Sequence, residues 1–513
     1  MWFADYELTS RSLFKTDKYH KQKHKKQNMT LKRILAFLRR RDVIKTICVV
    51  LVTLLIWWIP TDWFGIEGLT TLQHRVIAIF IFAALMWITE TVPAWVTSVL
   101  IIVTMLLTVS NSGITPLVNY LPKEELVSYK SLMYTFADQT VMLFLGGFVL
   151  AIVASKYSVD VTLARALLKP FGTRSNTVLL GFLMVTAFFS MFVSNTATAA
   201  MMLTFLTPVL KMLPPDGGGR ISLALAIPIG CNIGGIATPI GTPPNGIALG
   251  YLNDVEGLNL GITFGQWFAV MFPLMILIIL IAWFMLKTMY PFKAKEIKLE
   301  IKGGARNNWR TNLIYITFAV TIALWMLEKV VGMNAYVVAL IPVGVFCATG
   351  IFNTDDLKEI EWSVLWMVAG GFALGVGMDK TGLAKTLVEA IPFNEWPVIA
   401  VIIGSGLLCW CLSTFISNSA ATALMVPILA AVGKGMGPLL DETGGIGTLL
   451  IGIALSASFA MALPVSTPPN AIAYSTGLIT SSQMARTGII VGIVSLTLGY
   501  SLLFFLGSIG YFA

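Results

Sequence analysis

A polar triplet occurs twice in this chain inside otherwise apolar sequence, as Ser194-Asn195-Thr196 and Ser417-Asn418-Ser419, 223 positions apart. Each copy is followed by a proline-rich interruption of another apolar stretch. These are Gly241-Thr242-Pro243-Pro244-Asn245 and Ser466-Thr467-Pro468-Pro469-Asn470, with 225 positions between Thr242 and Thr467. A third pair, Gly146-Gly147-Phe148 and Gly370-Gly371-Phe372, keeps nearly the same separation. The chain is therefore an internal duplication, and its chemistry is expected where the two copies meet.

The surroundings of these motifs decide their meaning. Hydrophobic residues make up 56% of the chain, charged residues 12%, and the mean hydropathy is +0.81, which describes a polytopic membrane protein. Prolines remove amide donors, and non-helical backbone at membrane depth is tolerated only where protein or a wet cavity satisfies it. Broken helices in corresponding positions of two halves are the sequence pattern of a transporter binding site. The apolar region 178–213 is too long for one span and too short for two. Its arm 178–193 reaches only about 24 Å, short of a hydrocarbon core of roughly 30 Å. A re-entrant hairpin with Ser194-Asn195-Thr196 at its tip resolves this, and 397–432 forms the equivalent hairpin tipped by Ser417-Asn418-Ser419.

In order, residues 1–42 read as a basic cytoplasmic tail, since thirteen of the 35 Lys and Arg lie in the first 45 positions. A basic segment ahead of a first span reads as anchoring against anionic lipid under the positive-inside rule rather than as nucleic-acid binding. No cleavable signal peptide is visible in this long polar leader. The first half, 43–290, holds spans near 43–60, 74–89, 93–109 and 141–168, the hairpin 178–213, a broken helix at 221–252 and a span at 266–290. A basic cytoplasmic linker, 291–310, leads to the second half, 311–513. There, spans near 311–329, 335–351 and 362–390 precede the hairpin 397–432, the broken helix 446–478 and a last helix at 487–508. The expected fold is an all-α membrane protein of about eleven transmembrane helices plus two re-entrant hairpins in inverted repeats. It would lie in the plasma membrane with its N-terminus in the cytoplasm. The Gly-Gly pairs read as packing positions, because small residues let helices approach closely in lipid. The five cysteines fit neither a disulfide framework nor a zinc spacing.

Neither triplet and neither proline break contains Lys, Arg or His. An anion held there must use neutral donors: the hydroxyls of Ser194, Thr196, Thr242, Ser417, Ser419 and Thr467, the amides of Asn195 and Asn418, and backbone N–H groups at half-helix N-termini. Two facing half-sites suit a substrate with two anionic ends. Two negative charges without a fixed cation call for mobile cations, and hydroxyl, amide and main-chain oxygens are hard ligands that suit sodium. Against this stands the bland reading that Ser, Thr and Asn in membrane helices merely bond neighbouring helices for about 1 kcal/mol or less each. The pairing of a duplicated triplet with a duplicated helix break outweighs it. Glu90, in or beside an apolar span, is either functional or a helix-end residue, and Asp379 beside Lys380 reads as a solvated pair. An intramembrane hydrolase is disfavoured, since the only histidines are His20, His24 and His74 and no G-x-S-x-G elbow occurs. An ATP-driven pump is disfavoured because Gly375–Thr381 has Asp379 where a phosphate loop needs its second glycine. The chain is not expected to be an enzyme.

The paired hairpin tips, paired Thr-Pro-Pro-Asn breaks and Gly-Gly-Phe helices resemble the divalent anion/sodium symporter family over about residues 43–510. The resemblance implies sodium-coupled transport of dicarboxylates such as succinate, malate and fumarate, or of citrate, by a homodimer working as an elevator. It implies one sodium beside Ser190, Asn195 and the Gly241 backbone and another beside Ser413, Asn418 and the Ser466–Thr467 backbone. It places substrate on Asn195, Thr196, Asn418 and Ser419 with the pairs Thr242-Pro243 and Thr467-Pro468. Ser419 and Ser413 stand where the family more often has Thr, a change that keeps the hydroxyl and loses a methyl. A sodium-independent dicarboxylate/2-oxoglutarate exchanger on the same fold is the alternative.

Overall fold

The computed structural model describes residues 41–214, 217–254, 257–297, 303–390 and 396–511. The basic tail up to residue 40 and the middle of the linker lie outside the described residues. Every regular element among those described is a helix; isolated β-bridges join Ser110 to Val127 and Arg174 to Glu296.

The first half runs α1 (Arg41–Trp58), α2 (Thr71–Thr89), α3 (Ala94–Thr108), α4 (Gln139–Lys156) and α5 (Val159–Leu168). It continues with α6 (Ser175–Ser190), α7 (Asn195–Met212), α8 (Gly218–Gly235), α9 (Pro243–Leu252) and α10 (Phe264–Met289). The second half runs α11 (Trp309–Met326), α12 (Leu340–Ala348), α13 (Trp362–Lys380), α14 (Leu383–Ala390) and α15 (Val398–Phe415). It ends with α16 (Asn418–Met436), α17 (Gly445–Ser458), α18 (Pro468–Ser475) and α19 (Ser481–Ser508). Among the described residues, seven helical segments are long and apolar enough to cross a membrane; Ala94–Thr108, both arms of the first hairpin, Ala335–Ala348 and Gly445–Ser458 are apolar but shorter.

Three spans read from the sequence as single helices are interrupted. The stretch 141–168 divides into α4 and α5 at Ser158, whose φ of 56° is left-handed. The stretch 362–390 divides into α13 and α14 at Gly382, with φ 71°. Both interruptions follow a Lys in the last turn, and α5 and α14 turn away as short segments. Around 335–351, a turn of helix at Ala335–Val338 is separated from α12 at Ala339. That backbone is drawn so close to α4 that a Cβ on Gly146 would fall 2.1 Å from the Ala339 carbonyl oxygen. The last helix begins at Ser481 rather than near 487, because Thr480 and Gln483 form a capping box that starts it within a polar run.

The glycine pairs pack as read. A Cβ on Gly370 would meet Ser98 at 2.3 Å, so α13 lies directly on α3 much as α4 lies on the 335–348 segment. The hairpin arms α6 and α15 run along α8 and α17 respectively. The short outer parts of the broken helices are exchanged between halves: α9 packs on α16 and α17, whereas α18 packs on α7 and α8. This exchange brings the two breaks and the two hairpin tips to one place.

Candidate functional site

Each hairpin tip is built by a serine that starts a helix. Ser194 caps α7, its Oγ accepting from the Ala197 amide at 3.3 Å, and Ser417 caps α16, accepting from the Ala420 amide at 3.3 Å. At the breaks, Pro243-Pro244 and Pro468-Pro469 occupy the first positions of α9 and α18, where a missing N–H costs nothing. The carbonyls freed by unwinding are taken up by the asparagine that follows each proline pair. Asn245 donates from Nδ2 to the Gly235 and Thr238 carbonyls at 2.9 and 2.8 Å, and Asn470 donates to those of Met461 and Leu463, both at 2.9 Å. A buried carbonyl left unpaired would cost about 1–3 kcal/mol, so these two side chains hold the breaks open.

Around the breaks lies a cavity of about 260 Å³. Its lining includes Ser194, Asn195, Thr196, Gly241, Thr242, Pro243, Ser417, Asn418, Ser419, Ser466, Thr467 and Pro468. Six helices present N-terminal residues to this cavity: α7, α9, α16 and α18, and also α3 through Ala94 and Trp95 and α13 through Ser363 and Val364. Among the described residues that line it, none is Lys, Arg or His. Positive electrostatic character therefore comes from main-chain dipoles and uncharged donors, an arrangement suited to an anion.

Two further residues, Ser190 and Ser413, sit wholly buried behind the tips. Ser190 Oγ donates to Asn195 Oδ1 (2.5 Å) and lies 2.9 Å from the Cys231 carbonyl. Ser413 Oγ repeats this with Asn418 Oδ1 (2.8 Å) and the Ala457 carbonyl (3.1 Å). A Cβ on Gly235 would lie 3.1 Å from Asn195 Oδ1 and 3.2 Å from the Gly241 carbonyl, so those oxygens face a common point. Each half thus gathers a hydroxyl, an amide oxygen and a main-chain carbonyl, a donor set that fits a hard monovalent cation. The Ser466 side chain is otherwise engaged, donating to the Thr414 carbonyl at 2.7 Å and accepting from the Leu463 amide at 3.2 Å.

Two residues at the site, Glu361 and Asn232, were not singled out in the sequence. Glu361, directly ahead of α13, lines the cavity and accepts from Ser194 Oγ at 2.6 Å. Burial pushes its carboxyl above the usual glutamate range, and the Ser194 bond pulls the other way. Asn232 on α8 reaches across to the second half, donating to Thr467 Oγ1 (3.3 Å) and Asn470 Oδ1 (3.2 Å). Because both Asn470 amide hydrogens are used on carbonyls, its Oδ1 must face Asn232, which fixes the orientation of the Asn232 amide. Glu90 is the left-handed C-cap of α2 (φ 46°), which supports its helix-end reading, yet its carboxyl meets the Ser417 amide at the second tip. Desolvation raises its pKa and the Ser417 bond opposes the rise. Asp379 pairs with Lys434 on α16 at 3.2 Å, at a second cavity away from the first.

Residues 84–443 match the citrate transporter family. The chain is 30% identical over 458 residues to a Staphylococcus aureus (strain USA300) protein named sodium-dependent dicarboxylate transporter SdcS, covering 82% of this chain and 83% of that one. It is 30% identical over 412 residues to the Saccharomyces cerevisiae protein named inorganic phosphate transporter PHO87, covering 79% of this chain but only 43% of that longer one. The crystal structure of the Alcanivorax borkumensis YdaH transporter shares the fold, with a TM-score of 0.56 at 13% identity over 82% of this chain and 99% of that chain.

Proposed function

The chain belongs to the citrate transporter family, and from that premise we propose that it is a sodium-coupled secondary carrier of divalent organic anions, C4-dicarboxylates foremost. The observation that carries this reading is the pair of matched oxygen clusters, Ser190/Asn195/Cys231 and Ser413/Asn418/Ala457, flanking one cavity without a fixed cation. One sodium ion is assigned to each cluster, completed by the Gly241 backbone in the first and the Ser466–Thr467 backbone in the second. The dianion is assigned to the hydroxyls and amides of Ser194, Asn195, Thr196, Ser417, Asn418 and Ser419 with Thr242-Pro243 and Thr467-Pro468. Cargo charge is then balanced by ions that leave with it, since two carboxylates in a partly desolvated cavity need countercharge. The shared dicarboxylate and sodium in the SdcS name support the same assignment.

The remainder of the reading is that the halves are inverted repeats in a homodimer of the plasma membrane, N-terminus inside. Hairpins and broken helices would move as one body against the other helices in an elevator cycle. Radiolabelled succinate uptake into proteoliposomes tests the coupling, with an inward sodium gradient or equimolar potassium and with empty or succinate-loaded lumen. Sodium-dependent uptake into empty vesicles is expected. Uptake that needs internal succinate and ignores sodium would mean an exchanger. Unlabelled phosphate is expected to compete poorly, and strong competition would move the substrate class towards that of the yeast relative.

A further inference from the structure

Glu361 is the single ionisable side chain among the described residues lining the cavity. It belongs to neither hairpin and neither break, but to the segment leading into α13. Its Oε1 takes the hydrogen of Ser194 Oγ at 2.6 Å, while the other polar function of that hydroxyl, as acceptor, is used by the Ala197 amide at 3.3 Å. A serine hydroxyl has one proton to donate. Ser194 can therefore serve Glu361 or a carboxylate of the cargo, but not both at once.

We propose that Glu361 is a built-in occupant of the anion site, a tethered carboxylate that holds the first hairpin tip in the absence of cargo and that a substrate carboxylate must displace. The inference rests on the carrier reading and adds a specificity-determining residue to it. An internal carboxylate penalises each negative charge brought to that end of the cavity. At about 4 Å and an effective dielectric near 20, repulsion between two carboxylates corresponds to roughly a thousand-fold in affinity, and a sodium ion between them reduces that. The second tip is met differently: Glu90 is exposed, does not line the cavity, and reaches the Ser417 backbone amide rather than its hydroxyl. The two ends of the cargo are thus not equivalent, and the end at Ser194 is the one under competition.

Glu361→Gln tests this, because it keeps the length of the side chain and an oxygen for Ser194 while removing the charge. Succinate and its monomethyl ester, a monoanion of similar shape, are titrated calorimetrically against the purified full-length chain in sodium chloride. The expected result is succinate binding at least ten-fold tighter in the variant, with a smaller gain for the monoester. Unchanged or weaker succinate binding by a folded variant overturns the proposal, as does an equal gain for both ligands. Should Glu361→Gln fail to give a monodisperse protein, Glu361→Ala is read by the same criteria. A wild-type chain that binds neither anion overturns the carrier reading itself, whereas a wild type that binds succinate with no gain in the variants overturns only the role of Glu361.

Discussion

At the scale of the residue, Asn195 and Asn418 carry the heaviest demand, because each sits in the first turn of a helix at the cavity with its Oδ1 turned back onto a buried serine. One side of the amide faces the oxygens assigned to sodium while the residue also lines the space assigned to the anion. Asn195→Ala and Asn418→Ala are each expected to reduce uptake to background while the protein still reaches the membrane. Near-normal uptake in either variant would remove the paired-site reading. Asn470 has a different task, bonding two carbonyls and receiving Asn232. Asn470→Ala removes the side-chain donor from the buried Met461 carbonyl, at about 1–3 kcal/mol, and one acceptor from Asn232, while the Leu463 carbonyl keeps the Ser466 amide, so the thermal unfolding midpoint in detergent should fall by a few degrees.

At the scale of the element, the breaks depend on close backbone approach as much as on proline. A Cβ on Gly241 would fall 2.4 Å from the Gly235 carbonyl, and Asn195 lies against the same loop. Gly241→Ala is therefore expected to spread the first cluster and to raise the sodium concentration for half-maximal uptake at least ten-fold. Gly146→Val should act through stability instead, since its added atoms meet the Ala339 backbone; overpacking of this kind costs roughly 1–3 kcal/mol, measurable as a lowered unfolding midpoint.

These elements also show what could be read in advance. The hairpins and broken helices were legible because their polar or proline residues repeat at one separation, and repetition distinguishes a site from incidental hydrogen bonding. The interruptions at Ser158 and Gly382 were not: Lys156 and Asp160 flank the first and Asp379, Lys380 and Lys385 the second, but a few charges at the end of a long apolar run do not by themselves stop a helix, and the left-handed backbone at one residue turns it. Glu361 and Asn232 escaped for a related reason: each lies outside the duplicated motifs, and its approach to the cavity is set by how α13 and α8 pack. A single acid directly ahead of an apolar Gly-Gly-Phe helix was the available signal for Glu361, and the acidic segment around it made it look like ordinary loop charge.

At the scale of the whole molecule, the first cavity has a counterpart of about 280 Å³ at the other ends of three of its helices, α9, α13 and α16. Tyr251 and Phe372 stand at that second cavity, their ring centroids 5.8 Å apart and the Tyr251 hydroxyl donating to the Gly371 carbonyl at 3.0 Å. The second cavity carries Asp138, Asp254, Asp379, Lys380 and Lys434, whereas Glu361 is the one charged residue among the described lining of the first, so the two spaces differ in charge as well as position. The described lining of the first cavity runs from Ala94 to Pro469, and deletion of residues 1–28 is expected to leave succinate uptake per inserted carrier within about two-fold of the full chain. An inserted but inactive truncation would tie the tail to the transport cycle.

The exchange of α9 and α18 between halves imposes a schedule on synthesis. When residue 252 leaves the ribosome, α9 exists but α16 and α17, against which it packs, do not. At roughly 5–20 residues per second, the second hairpin tip follows on the order of ten to thirty seconds later. Throughout that interval the nascent chain holds one hairpin, one finished oxygen cluster and a broken helix whose outer segment has α4 beside it but not the second-half helices that make up most of its surroundings. Nascent chains arrested before residue 418 should therefore be protease-sensitive around α9, and protection there should arrive together with the second half.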